Sequence, residues 1–180
     1  MRIAVLAVST ALSAAPAFAQ VGRPAHQTGG GYSYLRYRTE QVQQVSFVKS
    51  TDGPLRGYYL SDSERTPWRW DLTIEVSSVS GTHRDTATLP GGTVVIESPI
   101  ETSALVAGPR YSFRRGARLS PFLRALAGLA DGFCVQAGGG VDVHLTGHLG
   151  IRAGADYRGR VADAQSILVA QGGLVISYGR

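Results

Sequence analysis

The chain has 180 residues, 18 basic against 13 acidic side chains, a formal net charge of +5 and a single cysteine. One cysteine cannot close an internal disulfide, so no covalent staple holds the fold, and the scattered positive charge forms no tract suited to nucleic acid. Lys49 is the only lysine, so the positive charge is carried by arginine, whose planar fork suits desolvated ion pairs.

Residues 1–19 read as a cleaved signal peptide. Arg2 supplies the positive n-region, Ile3 to Ala15 the apolar stretch, and Ala17-Phe18-Ala19 the cleavage box, leaving Gln20 as the mature start. Residues 20–30, with Gln, Gly, Arg, Pro and His, read as a flexible lead-in. After the signal no run of 18 apolar residues follows, which excludes a helical span.

From residue 31 onward the period is two, which sends successive side chains to opposite faces of a strand. Strands are expected at 31–38 and 55–61. From Trp68 to Ser78, Trp68, Trp70, Leu72, Ile74 and Val76 alternate with Arg69, Asp71, Thr73, Glu75 and Ser77. Next, Leu105, Ala107, Pro109, Tyr111 and Phe113 alternate with Val106, Gly108, Arg110, Ser112 and Arg114. A strand at 119–130 follows. From Phe133 to Leu145 the apolar set Phe133, Val135, Ala137, Val141 and Val143 alternates with Cys134, Gln136, Gly138, Gly140, Asp142 and His144. Ile151, Ala153, Ala155 and Tyr157 alternate with Arg152, Gly154, Asp156 and Arg158, and a last strand covers 166–178. The connections 39–54 and 81–99 read as long polar loops, and 62–67, 114–118 and 146–148 as short turns. Eight strands with such connections describe an all-β, antiparallel up-and-down barrel spanning residues 31–178.

Alternation also suits a soluble lipocalin-like carrier, with apolar side chains inside and charges outside. The polar face favours the membrane barrel, with a periplasmic lipocalin-like carrier kept as an alternative. That face mixes both signs with glycine, as in an enclosed lumen, and holds no lysine. The expected lumen network is Arg69, Asp71, Glu75, Arg110, Asp142, His144, Arg152 and Asp156. Trp68, Trp70, Tyr111, Phe113 and Tyr178 form the aromatic girdle expected where an apolar band meets a lipid interface.

The segment Gly31-Tyr32-Ser33-Tyr34-Leu35-Arg36 resembles the first strand of the OmpA-like outer-membrane β-barrel family. So do Gly108-Pro109-Arg110-Tyr111-Ser112-Phe113-Arg114 and the run Gly138-Gly139-Gly140-Val141-Asp142-Val143 followed by Arg152 and Ala155-Asp156-Tyr157. Gln171, Gly173, Ile176 and Tyr178 of the last strand are similar to the signal by which the barrel-assembly machinery recognises its clients. Here Gly179 and Arg180 follow the aromatic residue, whereas many members end on it. The resemblance implies a bacterial outer-membrane protein with partners in outer-membrane lipid and the assembly machinery. The role it implies is envelope-structural, adhesion-like or minor porin-like. Any extracellular ligand would then be met by 39–54 and 81–99.

The alternative is an outer-leaflet lipid-modifying enzyme, because eight-stranded deacylases and palmitoyltransferases exist. His144 beside Asp142 could tune a general base, but no third group is identifiable, so the pair reads as a lumen hydrogen bond. His83 and His148 assemble no catalytic set, the four histidines show no metal spacing, and Cys134 reads as a small lumen filler. No catalytic residue, cofactor or metal is expected.

Tyr178 ends the assembly segment. Tyr178→Ala is expected to lower the folded yield in cells more than it lowers refolding in detergent, where no machinery reads the strand. Equal losses in both settings would remove its special role.

Overall fold

The computed structural model describes residues 26–37, 48–66, 68–89, 92–114, 117–161 and 166–178. They form nine strands: β1 (His26–Tyr37), β2 (Val48–Asp52), β3 (Leu55–Arg65), β4 (Trp70–Leu89), β5 (Gly92–Ser112), β6 (Leu119–Leu129), β7 (Phe133–His144), β8 (Leu149–Arg160) and β9 (Ser166–Tyr178). All pairings are antiparallel. The order β4-β3-β1-β9-β8-β7-β6-β5 closes on itself through β4–β5, giving a ring of eight strands. The seam is β1 on β9, in register from His26 against Tyr178 to Tyr37 against Ile167. β2 stands outside the ring, on residues 83–87 of β4.

The alternating side chains are sorted against the rule for a water-soluble core. In β4, Asp71, Thr73, Glu75 and Ser77 are buried, while Leu72 and Ile74 keep 53% and 49% of their surface exposed. In β8, Arg152, Asp156 and Arg158 are buried, while Ile151 and Tyr157 are exposed. Polar inside and apolar outside is the pattern of a barrel whose solvent is hydrocarbon. It is the reverse of a lipocalin-like carrier.

Several boundaries differ from the sequence expectation. The first strand begins at His26, so residues 26–30 of the supposed lead-in are ordered strand. Residues 62–65, expected in a turn, end β3. The largest difference lies at 81–99. It is a hairpin, not a loop: β4 and β5 stay paired from Val79–Thr102 up to Leu89–Gly92. Within 39–54, residues 48–52 form β2. The signal peptide, residues 20–25 and residues 38–47 lie outside the described residues.

The rim is therefore uneven. β6 and β7 turn back at once through Asp131 and Gly132, whose φ angles of 50° and 133° suit a tight Asp-Gly hairpin. Directly beside that turn β2, β4 and β5 continue as a three-stranded blade. β6 pairs β5 only between Leu105 and Ser112, so residues 92–104 form a free edge among the described residues.

The lipid-facing assignment can be tested with one side-chain change at two heights. Ile74 lies on the apolar belt; Ile96 is also exposed but sits on the blade. Ile74→Arg should cost roughly 2–4 kcal/mol of folding free energy in vesicles, the range for an arginine near the bilayer midplane. Ile96→Arg should be near neutral in the same urea titration. Equal costs would overturn the assignment of the belt.

Candidate functional site

An eight-stranded ring has an interior only wide enough for side chains. Among the described residues that interior holds four buried arginines, Arg110, Arg124, Arg152 and Arg158, and four buried acids, Asp71, Glu75, Asp142 and Asp156. The signs balance, as a low-dielectric interior requires.

The layer nearer the chain termini is centred on Asp142 of β7. Its carboxylate accepts from Arg152 Nε at 2.8 Å and Nη2 at 3.2 Å, and from Arg110 Nη2. Gln27 Oε1 ties the two guanidiniums together, accepting from Arg110 at 2.8 Å and Arg152 at 3.1 Å. Arg152 also donates to Ser61 Oγ at 3.1 Å. Phe122 lies beside both: the guanidinium carbons of Arg110 and Arg152 stand 4.0 and 5.2 Å from its ring centroid. Cation–π attraction therefore offsets part of the desolvation of two like charges. Asp71 accepts from Ser112 Oγ at 3.1 Å.

The second layer is centred on Arg124 of β6. Its guanidinium donates to Glu75 at 2.6 Å and to both oxygens of Asp156, at 3.1 Å from Nε, and it also reaches Gln171. Gln171 in turn donates to Glu75 at 2.7 Å, and Gln136 donates to Asp156 at 2.9 Å. Arg158 donates to Gln136 Oε1 at 2.8 Å and Ser77 Oγ at 3.3 Å. The network thus crosses the barrel from β4 to β6, β7, β8 and β9.

Glycines make room for these groups. A Cβ on Gly138 would stand 2.3 Å from Asp156 Oδ1, and one on Gly140 would stand 2.9 Å from Phe122 Cζ. Toward the loops the filling turns apolar. Leu35, Leu55, Val79, Ile167 and Val169 form one cluster, and Ala104, Val106, Leu126, Ala130 and Cys134 another.

Of the residues expected in the lumen, Asp71, Glu75, Arg110, Asp142, Arg152 and Asp156 lie buried inside it. Arg69 does not. It is exposed in the turn before β4, because the alternation runs one residue past the strand's start. His144 is half-buried at the end of β7, and among the described residues its side chain makes no hydrogen bond to Asp142. Arg124 was missed although it is the one charge in 119–130, two pairs of residues on from inward Ser120. Phe122 and Leu126 share its inward face and blur the pattern. Gln27 was missed because it fell in the supposed lead-in. Gln171, expected in the assembly segment, faces the lumen.

At the turn end, Trp70 meets Tyr111 at 5.0 Å between ring centroids, and Tyr111 meets Phe113 at 5.1 Å, both edge-on. Trp68 projects from the same turn. Tyr178 stacks on His26 at 5.6 Å and shares a 3.1 Å hydrogen bond with Thr28. A second aromatic set at the loop end, Tyr32, Tyr34, Tyr58 and Tyr157, lay outside the expected girdle.

A closed eight-stranded ring, apolar outside and filled with ion pairs, defines a transmembrane β-barrel of the outer-membrane kind. Other solved structures share this fold. The outer membrane protein OprG of Pseudomonas aeruginosa is 10% identical, with 87% of this chain and 97% of that one covered and a TM-score of 0.65. Neisserial surface protein A is 11% identical, with coverages of 88% and 100% and a TM-score of 0.52. Ail of Yersinia pestis in a phospholipid bilayer nanodisc is 15% identical, with coverages of 88% and 100% and a TM-score of 0.50. No family model and no curated protein matches the chain. The likeness is therefore one of fold: these neighbours are eight-stranded outer-membrane barrels, consistent with the OmpA-like resemblance read in the sequence.

Asp142 holds two guanidiniums, so Asp142→Asn should cost more than an ordinary lumen substitution. Removing one partner of a buried pair costs roughly 3–5 kcal/mol. Urea unfolding in vesicles measures it. A loss under about 1 kcal/mol, the worth of an exposed pair, would show that the layer is open to water.

Proposed function

We propose that the chain is a non-enzymatic barrel of the bacterial outer membrane whose lumen is shut and whose outward work is done by the blade. The observation that carries this reading is the filling of the lumen. Two layers of paired charge and two apolar clusters occupy the interior, which disfavours a porin-like path for solutes. What remains available outside is the sheet of β2, β4 and β5, braced by the Arg84–Glu97 pair across the hairpin. Its β5 edge presents backbone groups of the kind that an extended segment pairs with. This supports an envelope-structural or adhesion-like role, with residues 81–99 as the surface that meets an extracellular ligand. Export is by the signal peptide at 1–19 and insertion by the barrel-assembly machinery acting on the last strand.

Cell fractionation should recover the mature chain, starting at Gln20, with the outer membrane. The purified barrel should show little or no conductance in planar bilayers. Recovery as a soluble periplasmic protein, or a large steady conductance, would overturn the reading.

A further inference from the structure

The belt that should be purely apolar carries two arginines on its outward face. In β1 the outward residues run Gly30, Tyr32, Tyr34, Arg36; in β3 they run Leu60, Tyr58, Arg56. Tyr34 lies directly opposite Arg56, which makes Arg36 and Arg56 diagonal neighbours across the β1–β3 pair. Both are exposed, and among the described residues neither makes an ion pair or a side-chain hydrogen bond.

Register fixes their height. Arg36 pairs with Leu168, ten residues up β9 from Tyr178 of the lower girdle. Arg56 pairs with Ser80, ten residues up β4 from Trp70. Ten residues at about 3.3 Å each, tilted by about 40°, rise about 25 Å, the height of an outer-membrane apolar band. Two independent strands therefore put both guanidiniums at the outer edge of the hydrocarbon. Three tyrosines surround them, with Tyr32 and Tyr58 edge-on at 6.3 Å. Below lie Leu60 and Leu174; Leu168 stands beside Arg36. Among the described residues the carboxylate on this face nearest in register is Glu101, beyond Ser80 from Arg56, and it pairs with neither arginine.

We propose that Arg36 and Arg56, with the hydroxyl of Tyr34, bind the phosphate of an anionic outer-leaflet glycolipid whose acyl chains lie against the leucines below. An unpaired cation against hydrocarbon is unfavourable, and a guanidinium fork satisfies phosphate oxygens two at a time. Two forks at diagonal positions on adjacent strands are within reach of one anion. A headgroup tethered by its own chains is held at this level, whereas a free anion would have to be drawn from water. The site rests on the membrane-barrel reading above.

The test uses the full mature barrel in phosphatidylcholine nanodiscs containing lipid A or its dephosphorylated form. Native mass spectrometry after detergent washing reads how much glycolipid stays bound. Heat-dependent gel mobility reads separately whether the barrel has folded, so loss of the fold is not mistaken for loss of the site. Wild type should retain lipid A and release the dephosphorylated form. Arg36→Gln and Arg56→Gln should each weaken retention about tenfold, as expected for one charged hydrogen-bond partner. Arg69→Gln, in the exposed turn at the opposite rim, should change nothing. Equal retention of both lipids by wild type would overturn the proposal, and that comparison needs no variant to fold. Unchanged retention by the folded double variant would overturn it as well. Displacement of lipid A by millimolar inorganic phosphate would show a soluble-anion site instead.

Discussion

Hydrocarbon offers no hydrogen-bond partner, so every backbone N–H and C=O that crosses it must be satisfied by the chain itself. For strands the only solution is a ring. The seam between β1 and β9 thus carries as much of the fold as any core cluster, since an open edge would leave a row of peptide groups bare in lipid. Its closeness is written in glycine. Gly31 faces Gly173 across the seam, and a Cβ on Gly31 would stand 2.2 Å from the carbonyl oxygen of Gly172. Closure then forces the rest of the sorting. With the outside committed to apolar groups, polar side chains have only the lumen, and there they must neutralise one another.

That obligation explains the composition of the interior. Buried ion pairs often contribute little net stability against an apolar filling. Their strength lies in direction: a guanidinium that must meet both Glu75 and Asp156 can do so in only one register of β4, β6 and β8. A slip of one residue in a strand would turn its lumen charges toward lipid and its lipid-facing side chains into the lumen. The near absence of lysine fits this logic, because an ammonium cannot span two carboxylates with a fixed fork.

The parts legible in the sequence are those under the period of two. Glu75, Asp142, Arg152 and Asp156 alternate with apolar residues that face lipid, so their side of the strand could be read. β6 was less legible because Phe122 and Leu126 fill space inside while Leu123 and Leu129 face out, leaving apolar residues on both faces. The blade was illegible for the opposite reason. Above the membrane neither face is obliged to be apolar, so a paired strand such as residues 81–89 reads like a loop. At the first strand, Gly29, Gly30 and Gly31 present no side chains whose pattern could mark the start.

The uneven rim gives the molecule a front and a back. A rotationally even barrel would look the same to neighbours approaching from any direction in the plane of the membrane. This one ends abruptly at Asp131-Gly132 and, on the strands next to that turn, rises through β5 and β4. The β5 edge at 92–104, unpaired among the described residues, is offered in one bearing only. The barrel thereby acts as an oriented mount, and spinning in the membrane sweeps that edge around the compass instead of offering it everywhere at once.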